Sequence, residues 1–221
     1  MTDRTVVVYG DGKHELGGQL GKALARDELP ALPMLVDRLL DAPPSVRYVA
    51  FPFAQVPHAR GKEHKLAKKV KRAILLAKAQ KHAGAVILVD RDRLPDSERI
   101  KPLQEGRSAL EHDLACPPCA VGMAVEAFDA WMIADGGALG KAGGNAARSH
   151  PSPETMDGVE GTGRHPKDRA AEVFGGGQGL GDKYAQVASH VDLGLLAKCC
   201  PKGFAPFAEE VTKRILPAVR A

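Results

Sequence analysis

Large aromatic side chains are scarce in this 221-residue chain: six Phe, three Tyr and one Trp make up 5% of it. A surface that reads nucleic acid by stacking bases on rings is therefore not expected, and any polyanion would have to be held by charge. No run approaches the roughly 20 consecutive apolar residues that a membrane-crossing helix needs. The N-terminus, MTDRTVVVYG, carries an acidic residue and a short strand-like run where a secretory signal would place its apolar core. The expectation is a cytoplasmic protein with no membrane partner. Cysteine is sparse too. Four cysteines in a reducing compartment read as thiols or metal ligands before they read as disulfides. Cys116-Pro-Pro-Cys119 has CxxC spacing, but Cys199 and Cys200 would have to complete a four-thiolate site. Adjacent cysteines chelate one metal poorly, so buried or incidental thiols are expected rather than zinc ligands.

What is present is an ordinary globular composition, 44% hydrophobic and 26% charged, with a net charge of +4 that permits a polyanionic partner without demanding one. Thr5–Tyr9, Val46–Phe51, Ala85–Val89 and Cys119–Val125 are continuous apolar runs, the pattern of parallel strands buried on both faces. Between them lie helix candidates over Glu15–Arg26 with Pro33–Leu40, Lys62–His82 and Ser97–Leu114, the last interrupted by Pro102 and Gly106. The alternation predicts an α/β, doubly wound, mainly parallel four-stranded Rossmann-like sheet with helices on both faces. We place this core at residues 1–135. Residues 136–164, rich in Gly, Pro and Ser and poor in large apolar side chains, read as a loop or lid. Residues 165–221 read as a small helical C-terminal region packing on the core, with a glycine run, Gly175–Gly181, between two short helical segments.

In an open parallel sheet the carboxyl ends of neighbouring strands converge on one crevice. Here those ends are acidic: Asp11 and Glu15 after the first strand, Asp90 and Asp92 after the third, Glu126 and Asp129 after the fourth. If the chain stays extended, Asp90 and Asp92 point the same way and present two carboxylates to one point. Such hard oxygen donors suit Mg²⁺ or Mn²⁺. Acids after strands also serve as helix caps; agreement among three strand ends favours a site.

The acidic-Gly-x-x-acidic turn after the first strand, with ILVDRD later, resembles the Toprim domain of topoisomerases, primases and overcoming-lysogenization-defect nucleases. AVEAFDAWMIAD (124–135), HPKDRAAEVF and KYAQVASHVDLGLLAKCCPKGFAPFAEEV are similar to segments of the bacterial family called domain of unknown function 4276. The resemblance implies a Toprim-like sheet, a general acid or base at Asp11, and Mg²⁺ held by Asp90 with Asp92. It also implies Glu15 and Glu126 beside the crevice as further ligands or orienters. One departure is that the usual Glu is Asp11 here, one methylene shorter.

The Lys62–His82 helix independently suggests the charge of the substrate. Lys62, Lys65, Lys69 and Arg72 follow three-then-four spacing and line one face, which suits a phosphate backbone as well as it suits a merely solvated surface. The dinucleotide fingerprint fails because Glu15 stands where a third glycine is required. The Asp135–Ala142 segment fails as a phosphate loop because it lacks the first Gly and the final Ser or Thr. The leading expectation is an Mg²⁺-dependent nuclease of Toprim type, in bacterial genome defence beside an ATPase partner. A non-catalytic nucleic-acid- or partner-binding subunit and a small-molecule phosphohydrolase are the alternatives.

Overall fold

The computed structural model describes residues 4–57, 62–176 and 179–220; Asp3 at the N-terminus, and Gly177 and Gln178 within the glycine run, lie outside them. Five strands form one sheet: β1 (Arg4–Gly10), β2 (Ala23–Leu24), β3 (Val46–Pro52), β4 (Gly84–Asp90) and β5 (Cys119–Ala124), in the order β2-β3-β1-β4-β5. The four long strands pair in parallel, and they are the four apolar runs. The antiparallel edge strand β2 is an addition, two residues long and too short to leave a periodic signal.

Successive side chains of a strand enter opposite faces. Val6 and Val8 of β1 join one core with Ala50, Val86 and Leu88, while Val7 and Tyr9 join the other with Val49, Ile87 and Val121. Both faces are covered, so no polar alternation breaks the runs. The first face is covered by α1 (Lys13–Leu16), α2 (Ala31–Leu40) and the C-terminal helices; α3 (Lys65–Ala79) and α4 (Ile100–Ser108) cover the second. Beyond β5 follow α5 (Asp129–Met132), α6 (Gly136–Lys141), α7 (Pro166–Phe174), α8 (Leu180–His190), α9 (Leu193–Cys199), α10 (Phe204–Arg214) and α11 (Leu216–Arg220). Their apolar faces complete the first core. Trp131, fully buried, meets Phe204 and Phe207 at ring-centre distances of 5.2 and 5.4 Å. Among the described residues no helix is long and apolar enough to cross a membrane.

Three segments differ from expectation. The helix over Glu15–Arg26 stops at Leu16, because Gly17 takes φ 65° and turns the chain under Pro30. Residues 136–164 contain α6 and two short 3₁₀ turns, Ala146–Arg148 and Pro153–Thr155. Carboxylates hold this stretch where apolar side chains are few. Asp135 Oδ1 accepts the N–H groups of Gly137 and Ala138 at 2.8 and 3.2 Å, and Glu154 accepts those of Lys202 and Gly203 at 2.8 and 2.7 Å.

The third is α4, shorter than expected. Pro102 sits in its first turn, where N–H groups have no intrahelical partner. Gly106 does not weaken α4 but admits α3: a β-carbon there would lie 2.4 Å from the Ala67 carbonyl oxygen and 2.8 Å from Val70 Cβ. Although Ala is intrinsically the better helix former by about 0.5–1 kcal/mol, Gly106→Ala is expected to destabilise by roughly 1–3 kcal/mol through overpacking. Urea unfolding should show a lower midpoint; an unchanged or higher one would mean that α3 and α4 separate freely.

Candidate functional site

From β1 the chain crosses to β3 on one side, then returns over β1 to β4 on the other. The carboxyl ends of β1 and β4 therefore border the switch point, where open α/β sheets place ligands. A cleft of about 640 Å³ opens there, and six carboxylates line it: Asp11, Glu15, Asp90, Asp92, Asp129 and Glu160. Asp11 follows β1 and its Oδ2 accepts the Asp90 N–H at 3.1 Å. Asp90 ends β4 and its Oδ1 accepts the Phe128 N–H at 2.9 Å. Glu15, buried on α1, accepts the Gly12 N–H at 2.9 Å. Asp129 accepts a short hydrogen bond from the Tyr184 hydroxyl of α8.

Like charges in a desolvated crevice raise one another. Burial, reinforced by Asp11 and Asp129, pushes the Asp90 carboxyl up to about 7. Burial and then the Asp90 charge hold Glu15 well above the usual carboxylate range. Asp11 opens to solvent at the cleft, with protein around its other sides. That partial desolvation raises it, against the Asp90 N–H and the charges of Arg99 and Lys69. A cluster of acids that resist ionisation together is what a bound cation relieves.

The donors are all hard oxygens, and Asp11, Asp90, Glu15 and Asp129 each commit one oxygen to a protein donor. Among the described residues no three His, Cys, Asp or Glu side chains are gathered into a ready metal cage. Mg²⁺ commonly uses one or two carboxylates, with water and substrate oxygens filling its shell. The Asp11–Asp90 pair fits that pattern, and an all-protein cage does not.

Two residues of the expected metal set are engaged by arginines instead. Asp92 lies past the end of β4 with φ 50°, so the extended geometry that would align it with Asp90 is lost. It sits on the cleft rim with its carboxylate taken by Arg99 at 2.5 Å. Glu126, also left-handed at φ 62°, is 3% exposed, forms an ion pair with Arg91 and does not line the cleft. That pair ties the loop after β4 to the loop after β5. Lys65 and Arg72 lie on α3, whereas Lys62 precedes its His64 cap and so falls outside the helix expected from Lys62; all three are exposed and make no ion pair among the described residues. Lys69 is half-buried, its Nζ 4.7 Å from the centre of the Phe53 ring, which brings the basic row up to Asp11.

Sequence reasoning did not assign Tyr184, Lys167, Glu160 or Arg99, all of which line the cleft. Lys167 and Tyr184 do lie in the HPKDRAAEVF and KYAQV stretches that carry the family resemblance, the one signal that singled those stretches out. His165 caps α7, its Nδ1 accepting the Lys167 N–H at 3.2 Å. The four cysteines are free thiols, and burial pushes the Cys119 thiol up to about 12, which suits packing rather than reactivity.

No curated protein and no solved structure matches the chain. A family model does match, over a span that contains Asp90, Asp129, Lys167 and Tyr184 and begins after Asp11 and Glu15. With residues 31–211 matched, the chain belongs to the family described as domain of unknown function (DUF4276).

Proposed function

We propose that the protein is an Mg²⁺- or Mn²⁺-dependent enzyme that cleaves phosphodiester bonds, a nuclease of Toprim type. One observation carries this reading: Asp11 and Asp90 meet at the switch point, where burial raises both carboxyls in the absence of a cation. A divalent ion held by Asp11 and Asp90 would polarise a phosphoryl oxygen of the substrate. Asp11, raised by its surroundings and open to solvent, exchanges a proton with the attacking or leaving oxygen. Glu15, through Gly12, fixes the turn that aims Asp11. Asp92 and Glu126 act here through Arg99 and Arg91, holding the strand-end loops.

The α3 face is the proposed path of the nucleic-acid backbone, with Lys69 as its nearest cation to the cleft. Replacing Lys62, Lys65, Lys69 and Arg72 together by Gln should weaken DNA binding. Each lost phosphate contact should also flatten the dependence of log affinity on log salt by about 0.9 on duplex DNA. Anisotropy titrations at several salt concentrations read both; an unchanged slope would mean that this face is only solvated. Incubation of the protein with plasmid, single-stranded DNA and RNA tests the reaction itself. Cleavage is expected with Mg²⁺ or Mn²⁺ and none with EDTA, and no cleavage under any condition would sink the nuclease reading.

A second reading, a small-molecule phosphohydrolase, is favoured by one feature: Glu160 of the 136–164 segment lines the cleft, whose volume of about 640 Å³ suits a small ligand. Turnover of p-nitrophenyl phosphate without polynucleotide cleavage would select it.

A further inference from the structure

Lys167 lines the acidic cleft together with Lys13 and Arg99, within electrostatic reach of Asp90 and Asp129. Burial lowers its ammonium, but Glu160, Asp129 and Asp90 outweigh that and hold it above the ordinary lysine value. Its partner is Glu160, whose carboxylate lies 3.5 Å from Nζ. Glu160 rides on a turn that Asp168 pins to α7: the Asp168 carboxylate accepts the N–H of Gly161 at 2.8 and 2.9 Å and that of Gly163 at 2.8 Å. The turn is thus fixed while the ion pair is loose. Its separation exceeds that of a charge-assisted hydrogen bond, and the two side chains are 40% and 67% exposed, so the pair contributes little and exchanges readily.

We infer that Lys167 is a subsite for a phosphoryl group, and that Glu160 occupies it as an internal stand-in until substrate displaces it. The ligand class follows from the two signs of charge. A group in this cleft must offer an anionic oxygen to Lys167 and further oxygens towards the Asp11–Asp90 pair, which a tetrahedral phosphoryl group does. Arg99 is less available for the task, being engaged with Asp92 and with the Arg91 carbonyl oxygen at 3.3 Å. This inference rests on the phosphodiesterase reading for its substrate class, yet it stands on different residues.

The test is binding by the full chain of inorganic phosphate with Mg²⁺, followed by calorimetry, and of a fluorescein-labelled single-stranded DNA with Ca²⁺, followed by anisotropy. Lys167→Gln should weaken binding by about five- to tenfold, and Glu160→Gln should tighten it by about two- to fivefold, the range open to an exposed ion pair. The double variant should match Lys167→Gln, since Glu160 acts only through Lys167. Shifts with phosphate alone would identify a free phosphoryl ligand; shifts with both probes would identify a phosphodiester. The subsite is overturned if wild type binds neither probe, if both single variants bind within twofold of wild type, or if Glu160→Gln weakens binding. Opposite shifts without cleavage of any polynucleotide would keep the subsite and remove the nuclease reading. Cleavage with unshifted binding would do the reverse.

Discussion

Asp90→Asn is expected to reduce metal-dependent cleavage to background, whereas Asp92→Asn should stay within about tenfold of wild type. The difference follows from geometry. Asp90 faces the cleft beside Asp11, so its loss removes one of two anionic ligands available to the ion. Asp92 carries φ 50° and spends its charge on Arg99, and an exposed pair of that kind contributes modestly. Asp11→Asn keeps the side chain's size but removes the other anionic ligand together with the proton shuttle, so the rate should fall by at least the roughly 10²- to 10⁴-fold that proton transfer alone contributes. Asp11→Glu should raise activity if the shortened acid limits proton transfer. Single-turnover cleavage with Mg²⁺ and Mn²⁺ separates these cases. Equal losses from Asp90→Asn and Asp92→Asn would return Asp92 to the metal set and contradict the assignment made from the loop geometry.

The same acid should make the metal-free protein less stable as pH rises. Asp90 has a folded value near 7 against an ordinary value of 3.8, so the folded state holds the proton more tightly than the unfolded chain. Its favourable contribution is complete below the unfolded value and is lost as pH rises towards and through about 7. The loss should be on the order of 2–3 kcal/mol, allowing for the solvent that reaches the cleft. Glu15, raised in the same way, adds to it. His14, His82 and His165 are held below the ordinary imidazole value by burial and act in the opposite sense. The comparison is therefore between wild type and Asp90→Asn at each pH, in EDTA. Asp90→Asn should be the more stable protein at pH 8, with the gap closing towards pH 4. Mg²⁺ should stabilise wild type at pH 8 and leave the variant nearly unmoved, because an ion that binds only the folded state adds to its stability. A wild type as stable as Asp90→Asn at pH 8 without metal would show that these acids do not oppose one another.

The legible part of this protein lies in its local patterns. Doubly buried parallel strands need uninterrupted apolar side chains, so the four long strands announce themselves, as does the helix bearing Lys65, Lys69 and Arg72. Strand ends then converge by topology, so Asp11, Glu15, Asp90 and Asp92 are legible in the sequence as neighbours of one cleft. Asp92 was aligned with Asp90 on the assumption that the chain stays extended past β4, and Glu126 was brought to the crevice by its place after β5 and by the family resemblance. Both sit in the left-handed region instead, where side-chain alternation no longer predicts direction, and each meets an arginine. Residues 136–164 looked structureless because the signal for structure is apolar, whereas Asp135 and Glu154 order them through backbone N–H groups. Tyr184 reaches Asp129 across 55 residues of sequence, and Lys167 comes within the field of Asp90 from a helix whose Ala170, Val173 and Phe174 join the first core. Contacts of that kind carry no local periodicity. Sequence alone determined the sheet, because its buried strands follow from the apolar runs, and it brought acids to the strand ends; Lys167 and the Tyr184 hydroxyl joined the cleft only when α7 and α8 buried their apolar faces against the core.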